Sequence, residues 1–207
     1  APFINSTSLP ATPPASPRTR STTHPDDAHL LGNVIPYHIM LDLETFGLFP
    51  GCTVLRIGAI RFTLDGRNLG EFECGILNHS CDRVGLVAED SAVSFWDKQS
   101  GEARRHLYAE PLYEIEEALL RFNGWIRDYP PGYLLGIWGN GAAFDQPILN
   151  AAYRAIDSAP AWSYKQEFCY RTVKEMNRDV PYPEFKGVRH NALDDARAQV
   201  EHMQRIY

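Results

Sequence analysis

The stretch Tyr37-His38-Ile39-Met40-Leu41-Asp42-Leu43-Glu44-Thr45-Phe46-Gly47 decides how the chain is read. The apolar run from Tyr37 to Leu43 has the length and composition of a buried strand. Asp42 and Glu44 stand two residues apart at its end. Strand side chains alternate faces, so both carboxylates point the same way. Like charges that close repel unless something neutralises them. A divalent cation does so, and hard oxygen donors suit Mg²⁺ or Mn²⁺. Gly47 permits an unusual turn or the close approach of a ligand. The plainer alternative is a solvated strand end at which Asp42 and Glu44 merely begin a loop.

Outward from this stretch the chain alternates. Val54 to Phe62 is a second strand-like run, Asp65-Gly66 is a turn signal, and Leu69 to Leu77 follows as a third strand. Three strands joined this way predict an antiparallel meander. A polar, helical stretch runs from about Ser91 to Tyr108. Glu114 to Tyr129 carries Ile115, Ala118, Leu119, Phe122 and Ile126 at helical spacing. Tyr133 to Trp138 reads as a buried strand, and Phe144 to Ile156 and Asn191 to Ile206 read as helices. Leading strands followed by alternating helix and strand predict an α/β domain with a mixed sheet over residues 34–207. Residues 1–33 are rich in Pro, Ser and Thr and read as a flexible leader, although Arg18 and Arg20 could touch nucleic acid.

Composition narrows the function. The 207 residues are 44% apolar, enough for one domain with a real core. The formal net charge of -6 argues against a protein that wraps a long phosphate backbone, which is normally basic. An enzyme gripping a strand end needs only a local patch. None of the four cysteines forms a CxxC pair. Cys74, His79 and Cys81 lack a fourth zinc ligand at normal spacing, so free thiols in a reducing, cytoplasmic setting are the expectation. No apolar run reaches membrane-spanning length, and no membrane partner is expected.

Two further stretches carry chemistry. Trp138-Gly139-Asn140-Gly141 turns from a strand into the helix that opens at Phe144-Asp145. Such a turn is a common place for a site in an α/β sheet. Taken alone, Asp145 also suits a helix dipole and Asn140 an ordinary turn. His190-Asn191-Ala192-Leu193-Asp194-Asp195 opens the last helix. Asn191 is a good N-cap, and Asp194 falls at the reach-back position of a capping box. Asp195 has no such structural task and is the better ligand. Five helical residues turn about 140°, so His190 and Asp195 converge only if His190 sits on the loop before the helix. A lone loop histidine is otherwise structural or exposed. Leu193, Ala196, Val200 and Met203 form the packing stripe, and His202 lies off it, which predicts a solvated side chain.

Taken together and in order, these stretches resemble the DEDD exonuclease superfamily. Asp42 to Gly47 resembles the first motif, Asn140 to Asp145 the second, and His190 with Asp195 the third, in the H-x4-D form of the DEDDh branch. Trp138-Gly139, Phe144-Asp145-x-x-Ile148-Leu149, Pro160-x-Trp162-x-Tyr164 and Cys169-Tyr170-Arg171-Thr172 resemble more narrowly the phage DexA-like exonucleases and the mycobacterial-type exoribonuclease domain.

The resemblance implies an RNase H-like fold with a five-stranded mixed sheet flanked by helices. It also implies two divalent cations, Mg²⁺ or Mn²⁺, ~3.5–4 Å apart, clamping the attacking and leaving oxygens. Asp42, Glu44, Asp145 and Asp195 would hold them. Asp42 would bridge both, Asp145 would stand beside the leaving 3' oxygen, and His190 would take the water's proton. The implied partner is the 3' end of single-stranded DNA or RNA, with DNA favoured and an exoribonuclease acting on RNA overhangs as the alternative. A non-catalytic nucleic-acid-binding domain and an endonuclease are the remaining readings. Pairing as a homodimer is common among such relatives. Thr45, Phe46, Asn140, Lys186 and Arg189 are the candidate substrate contacts. Phe46 would stack on the terminal base or simply pack. Trp96 reads as core or as a base platform. Of the cations Arg171, Lys186 and Arg189, the last two are favoured because they flank His190. Tyr164 and Tyr182 read as structural.

Overall fold

A strand buried on both faces must be covered by layers on both sides, and the first strand is the middle of such a stack. A computed structural model of the chain describes residues 34–130 and 132–207. The leader expected over 1–33, with Arg18 and Arg20, lies outside the described residues. The strands are β1 (Tyr37–Thr45), β2 (Val54–Phe62), β3 (Asn68–Ile76), β4 (Leu112–Tyr113), β5 (Leu134–Gly139) and β6 (Glu167–Cys169). The helices are α1 (Asn78–Arg83), α2 (Asp90–Asp97), α3 (Gly101–Leu107), α4 (Ile115–Arg127), α5 (Asp145–Ala155), α6 (Tyr170–Met176) and α7 (Ala192–Ile206).

Among the described residues the strands form one mixed sheet in the order β4-β3-β2-β1-β5-β6. The expected meander is β1-β2-β3, antiparallel throughout, and β5 joins β1 in parallel. The sheet has six strands rather than five. Strands as short as β4, two residues, and β6, three residues, carry no readable alternation. They pair in parallel along β3 and β5.

Alternation along β1 sorts its side chains. Tyr37, Ile39, Leu41 and Leu43 enter a large core with Ile115, Ala118, Leu119 and Phe122 of α4 and Ile148 and Leu149 of α5. Met40 enters a second core with Ile60, Phe62 and the α7 stripe Leu193, Ala196, Val200 and Met203. Asp42 and Glu44 share the parity of Met40 and so belong to the α7 side. Gly58 pairs with Asp42 across the β1-β2 ladder. A Cβ there would lie 2.4 Å from the Ala192 carbonyl carbon and the Leu193 nitrogen. Glycine therefore lets the start of α7 rest directly on the sheet.

Several local expectations change. The helical stretch 91–108 is two helices, because the Ser100 side chain caps a new start by accepting from the Ala103 N–H. The first helix among the described residues, α1, and the short α6 carry no signal that the sequence reading used. Asn191 caps α7 by accepting from the Leu193 and Asp194 N–H groups. Asp194 reaches back to the Val188 N–H at 2.9 Å, not to Asn191, whose N–H donates to the Val188 carbonyl. His202 is buried rather than solvated. It sits 2.7 Å from the Tyr170 hydroxyl and 3.1 Å from the Val180 carbonyl, because the segment before α7 folds back over that face. No helix among the described residues is long and apolar enough to cross a membrane.

Candidate active site

Four acidic side chains from three distant segments meet where β1, β5 and α7 come together. One oxygen from each of Asp42, Glu44 and Asp195 lies within 4.8 Å of the others. Asp145 opens α5 and is fully buried. Its Oδ2 accepts from the Asn140 N–H at 2.7 Å, while its Oδ1 has no partner. Gly139 makes this possible: a Cβ there would stand 2.7 Å from Asp145 Oδ2. Glu44 Oε1 is also buried without a partner. Gln199, one turn beyond Asp195 on α7, donates from Nε2 to Asp42 Oδ1 at 2.7 Å.

Burial and crowding push these acids toward their neutral forms. Asp42 is held well above the usual carboxylate range by burial first, then by Asp145, Glu44 and Asp195, with the Gln199 hydrogen bond opposing. Glu44 is raised well above its ordinary value by burial and by Asp195 and Asp145. Burial lifts Asp145 to about 7 despite backbone N–H donors. Asp195 is raised by burial too, against the pull of the His190 N–H and of the charges on His190 and Arg189. Unpaired buried oxygens and mutually repelling carboxylates are what a hard divalent cation satisfies. The donor set fits such an ion, whether Mg²⁺ or Mn²⁺.

His190 stands on the turn before α7, the position from which it can converge with Asp195. Its N–H donates to Asp195 Oδ2 at 2.9 Å. Its ring meets Phe95 edge-on at 5.3 Å and Trp96 at 6.1 Å. Trp96 is itself buried, donating from its indole N–H to the Thr45 carbonyl at 3.0 Å. The acids and His190 line one cleft of about 520 Å³, together with Thr45, Asn140, Phe95 and Trp96.

The expected substrate contacts divide. Thr45 and Asn140 line the cleft. Phe46 does not: it is buried with Leu55, Trp96, Ala103 and Leu107, and the exposed Leu48 takes the place at the wall. Lys186 and Arg189 are not on the wall either. Lys186 faces Glu201 at 3.7 Å, and the Arg189 guanidinium lies over the Phe185 ring at 4.8 Å. Arg171 is the cation that lines the cleft. Tyr182 packs against His202, whereas Tyr164 is exposed. Gln199 was missed, though its position four residues after Asp195 put it on the same helix face.

The nuclease domain of 3'hExo, a DEDDh family member bound to rAMP, superposes with a TM-score of 0.57 at 11% identity, over 84% of this chain and 92% of that one. E. coli Exonuclease I, in complex with a 5cy-dT13 oligonucleotide, gives a TM-score of 0.53 at 19% identity, over 82% of this chain and 40% of that one. No curated protein matches the sequence significantly. At these identities the likeness shows the fold alone, the RNase H-like α/β fold of these nuclease structures. The chain belongs to the family of the 3'-5' exoribonuclease Rv2179c-like domain, which matches residues 37–207. It is a hydrolytic 3'-5' exonuclease domain.

Proposed function

We propose that this chain releases 5'-nucleoside monophosphates one at a time from the 3' end of single-stranded RNA, using two divalent cations and His190 as general base. The observation that carries the reading is the acidic cluster, in which Glu44 and Asp145 are buried and Asp42 and Asp195 half-buried. Three carboxylates converge within 4.8 Å, with unpartnered oxygens on Glu44 and Asp145 in the same cleft. The preference for RNA over DNA is supported by the family description.

Asp42, Glu44, Asp145 and Asp195 would hold the ions. When bound, such ions ease ionisation of water and neutralise charge on the phosphate oxygens. The chain's own residues do the rest. Asp42 is oriented by Gln199, and Asp195 by the His190 N–H. His190 accepts the proton of the attacking water as the new P–O bond forms. The bond from phosphorus to the 3' oxygen of the penultimate nucleotide breaks, and that oxygen takes a proton from solvent. Phe95 and Trp96 hold the imidazole edge-on at the cleft wall.

The test is a side-by-side degradation of matched RNA and DNA oligonucleotides in Mg²⁺ and in Mn²⁺, with Asp42→Ala as control. The expected result is a ladder descending by single nucleotides, faster on RNA, and abolished in a variant that still folds. Full activity of Asp42→Ala would remove the cluster from the mechanism. Faster loss of DNA would return the preference to deoxyribonucleotides.

A further inference from the structure

Arg171 is a cleft side chain with no part in the chemistry above. It sits in the first turn of α6, and its Nη2 donates to the Asn140 carbonyl at 2.5 Å. A Cβ on Gly141 would lie 3.3–3.5 Å from three of its guanidinium atoms. Gly141 has φ +150°, so a side chain there is disfavoured by backbone as well as by space. The guanidinium is therefore laid against the turn that leads to Asp145. Among the described residues it has no carboxylate in salt-bridge range, and its Nε and Nη1 make no hydrogen bond. A planar cation with free donors, held beside four acids, suits the two oxygens of a phosphate.

Direction follows from the displacement itself. In an in-line reaction the attacking and leaving oxygens lie on opposite sides of phosphorus. His190, which takes the water's proton, is held by Asp195, Phe95 and Trp96. Arg171 is held by another wall, the Asn140-Gly141 turn. The leaving oxygen faces away from His190, and it is the 3' end of the strand that remains. On the exonuclease reading Asp145 would stand beside that oxygen, and Asn140, whose N–H donates to Asp145 Oδ2, is the residue whose carbonyl accepts from Arg171. On that reading the acidic cluster, with the ions it would hold, takes the scissile phosphate, and Arg171 is left for the next one.

We propose that Arg171 binds the phosphate of the linkage one nucleotide upstream of the scissile bond. The proposal rests on the exonuclease reading above. It makes the site a reader of at least two consecutive phosphates.

The test compares kcat/KM on a trinucleotide, which carries that upstream phosphate, with kcat/KM on a dinucleotide without a 5'-phosphate, which lacks it. In Arg171→Ala the loss on the trinucleotide exceeds the loss on the dinucleotide by about 10- to 100-fold, the usual range for a charge-assisted hydrogen bond. Arg171→Lys restores part of the difference. A neutral methylphosphonate at the upstream linkage slows the wild type by a similar factor and leaves Arg171→Ala little further affected. Equal losses on both substrates overturn the proposal, because they mean that Arg171 acts only by bracing Asn140 and Asp145. A wild-type protein that releases no nucleotide from either overturns the exonuclease reading, and this role with it.

Discussion

His190 adopts φ +62°, a left-handed conformation that residues other than glycine seldom hold. Such a conformation costs on the order of 1–3 kcal/mol and persists when its surroundings require it. Here the N–H must reach Asp195 Oδ2, which anchors one oxygen of that carboxylate. Replacing the side chain should leave this backbone bond in place. His190→Ala should therefore lower the turnover rate by ~10²–10⁴, the range for loss of a general base, while Mn²⁺ binding measured by calorimetry stays near wild type. A loss of metal binding to match the loss of rate would make His190 a structural post instead. At this scale the sequence named five residues that the fold brings to one cleft, because their identities and order carry the pattern. Leu48, Gln199 and the choice of Arg171 over Lys186 were not. Which side chains reach the cleft depends on how the backbone turns after Thr45 and on what packs over 177–190.

The element that assembles the site is α7. It carries Asp195 and Gln199, follows His190, and is pressed onto β2 at Gly58. A methyl group at Gly58 would collide with the helix backbone, which cannot rotate away as a side chain can. Gly58→Ala should destabilise by roughly 1–3 kcal/mol, the usual cost of overpacking, and should weaken metal binding by moving Asp195 away from Asp42. Gly124 in α4 is the matching control, because a Cβ there meets open space. Gly124→Ala should stabilise by up to about 1 kcal/mol through helix propensity, with activity unchanged. Thermal melts with a metal titration check both. An unchanged melting temperature in Gly58→Ala would mean that α7 is free to lift. The α4 and α7 stripes were readable from periodicity. Two-residue pairing at β4 and the burial of His202 were not, since both depend on neighbours distant in sequence.

For the molecule as a whole, the acidic cluster ties stability to pH. Asp42, Glu44, Asp145 and Asp195 are all raised in the folded, metal-free protein, Asp145 to about 7. Above the ordinary carboxylate range the folded state then holds more protons than the unfolded chain, so stability falls as pH rises. The penalty is absent at low pH and, for Asp145, complete once pH passes about 7. Surface carboxylates such as Glu71 and Glu114 are shifted down by Arg197 and by Arg83, and they act in the opposite sense at lower pH. In a chelator, the melting temperature should therefore decline between about pH 5 and about pH 8, and a divalent cation at the upper pH should restore it by linkage. A flat or rising profile across that window would contradict the raised values.

By itself the sequence determined the α/β class, the order of the long elements and the identity of the acids and the histidine. Those depend on local alternation, helical spacing and the few side-chain types able to do the chemistry. Only the tertiary structure decided that the acids share one cleft, that Phe46 packs inward while Leu48 lines the wall, and that Arg171 is the cation beside Asp145. Convergence of side chains more than a hundred residues apart is a property of the packed sheet and of α7 lying against Gly58. No local pattern encodes the direction in which those surfaces meet.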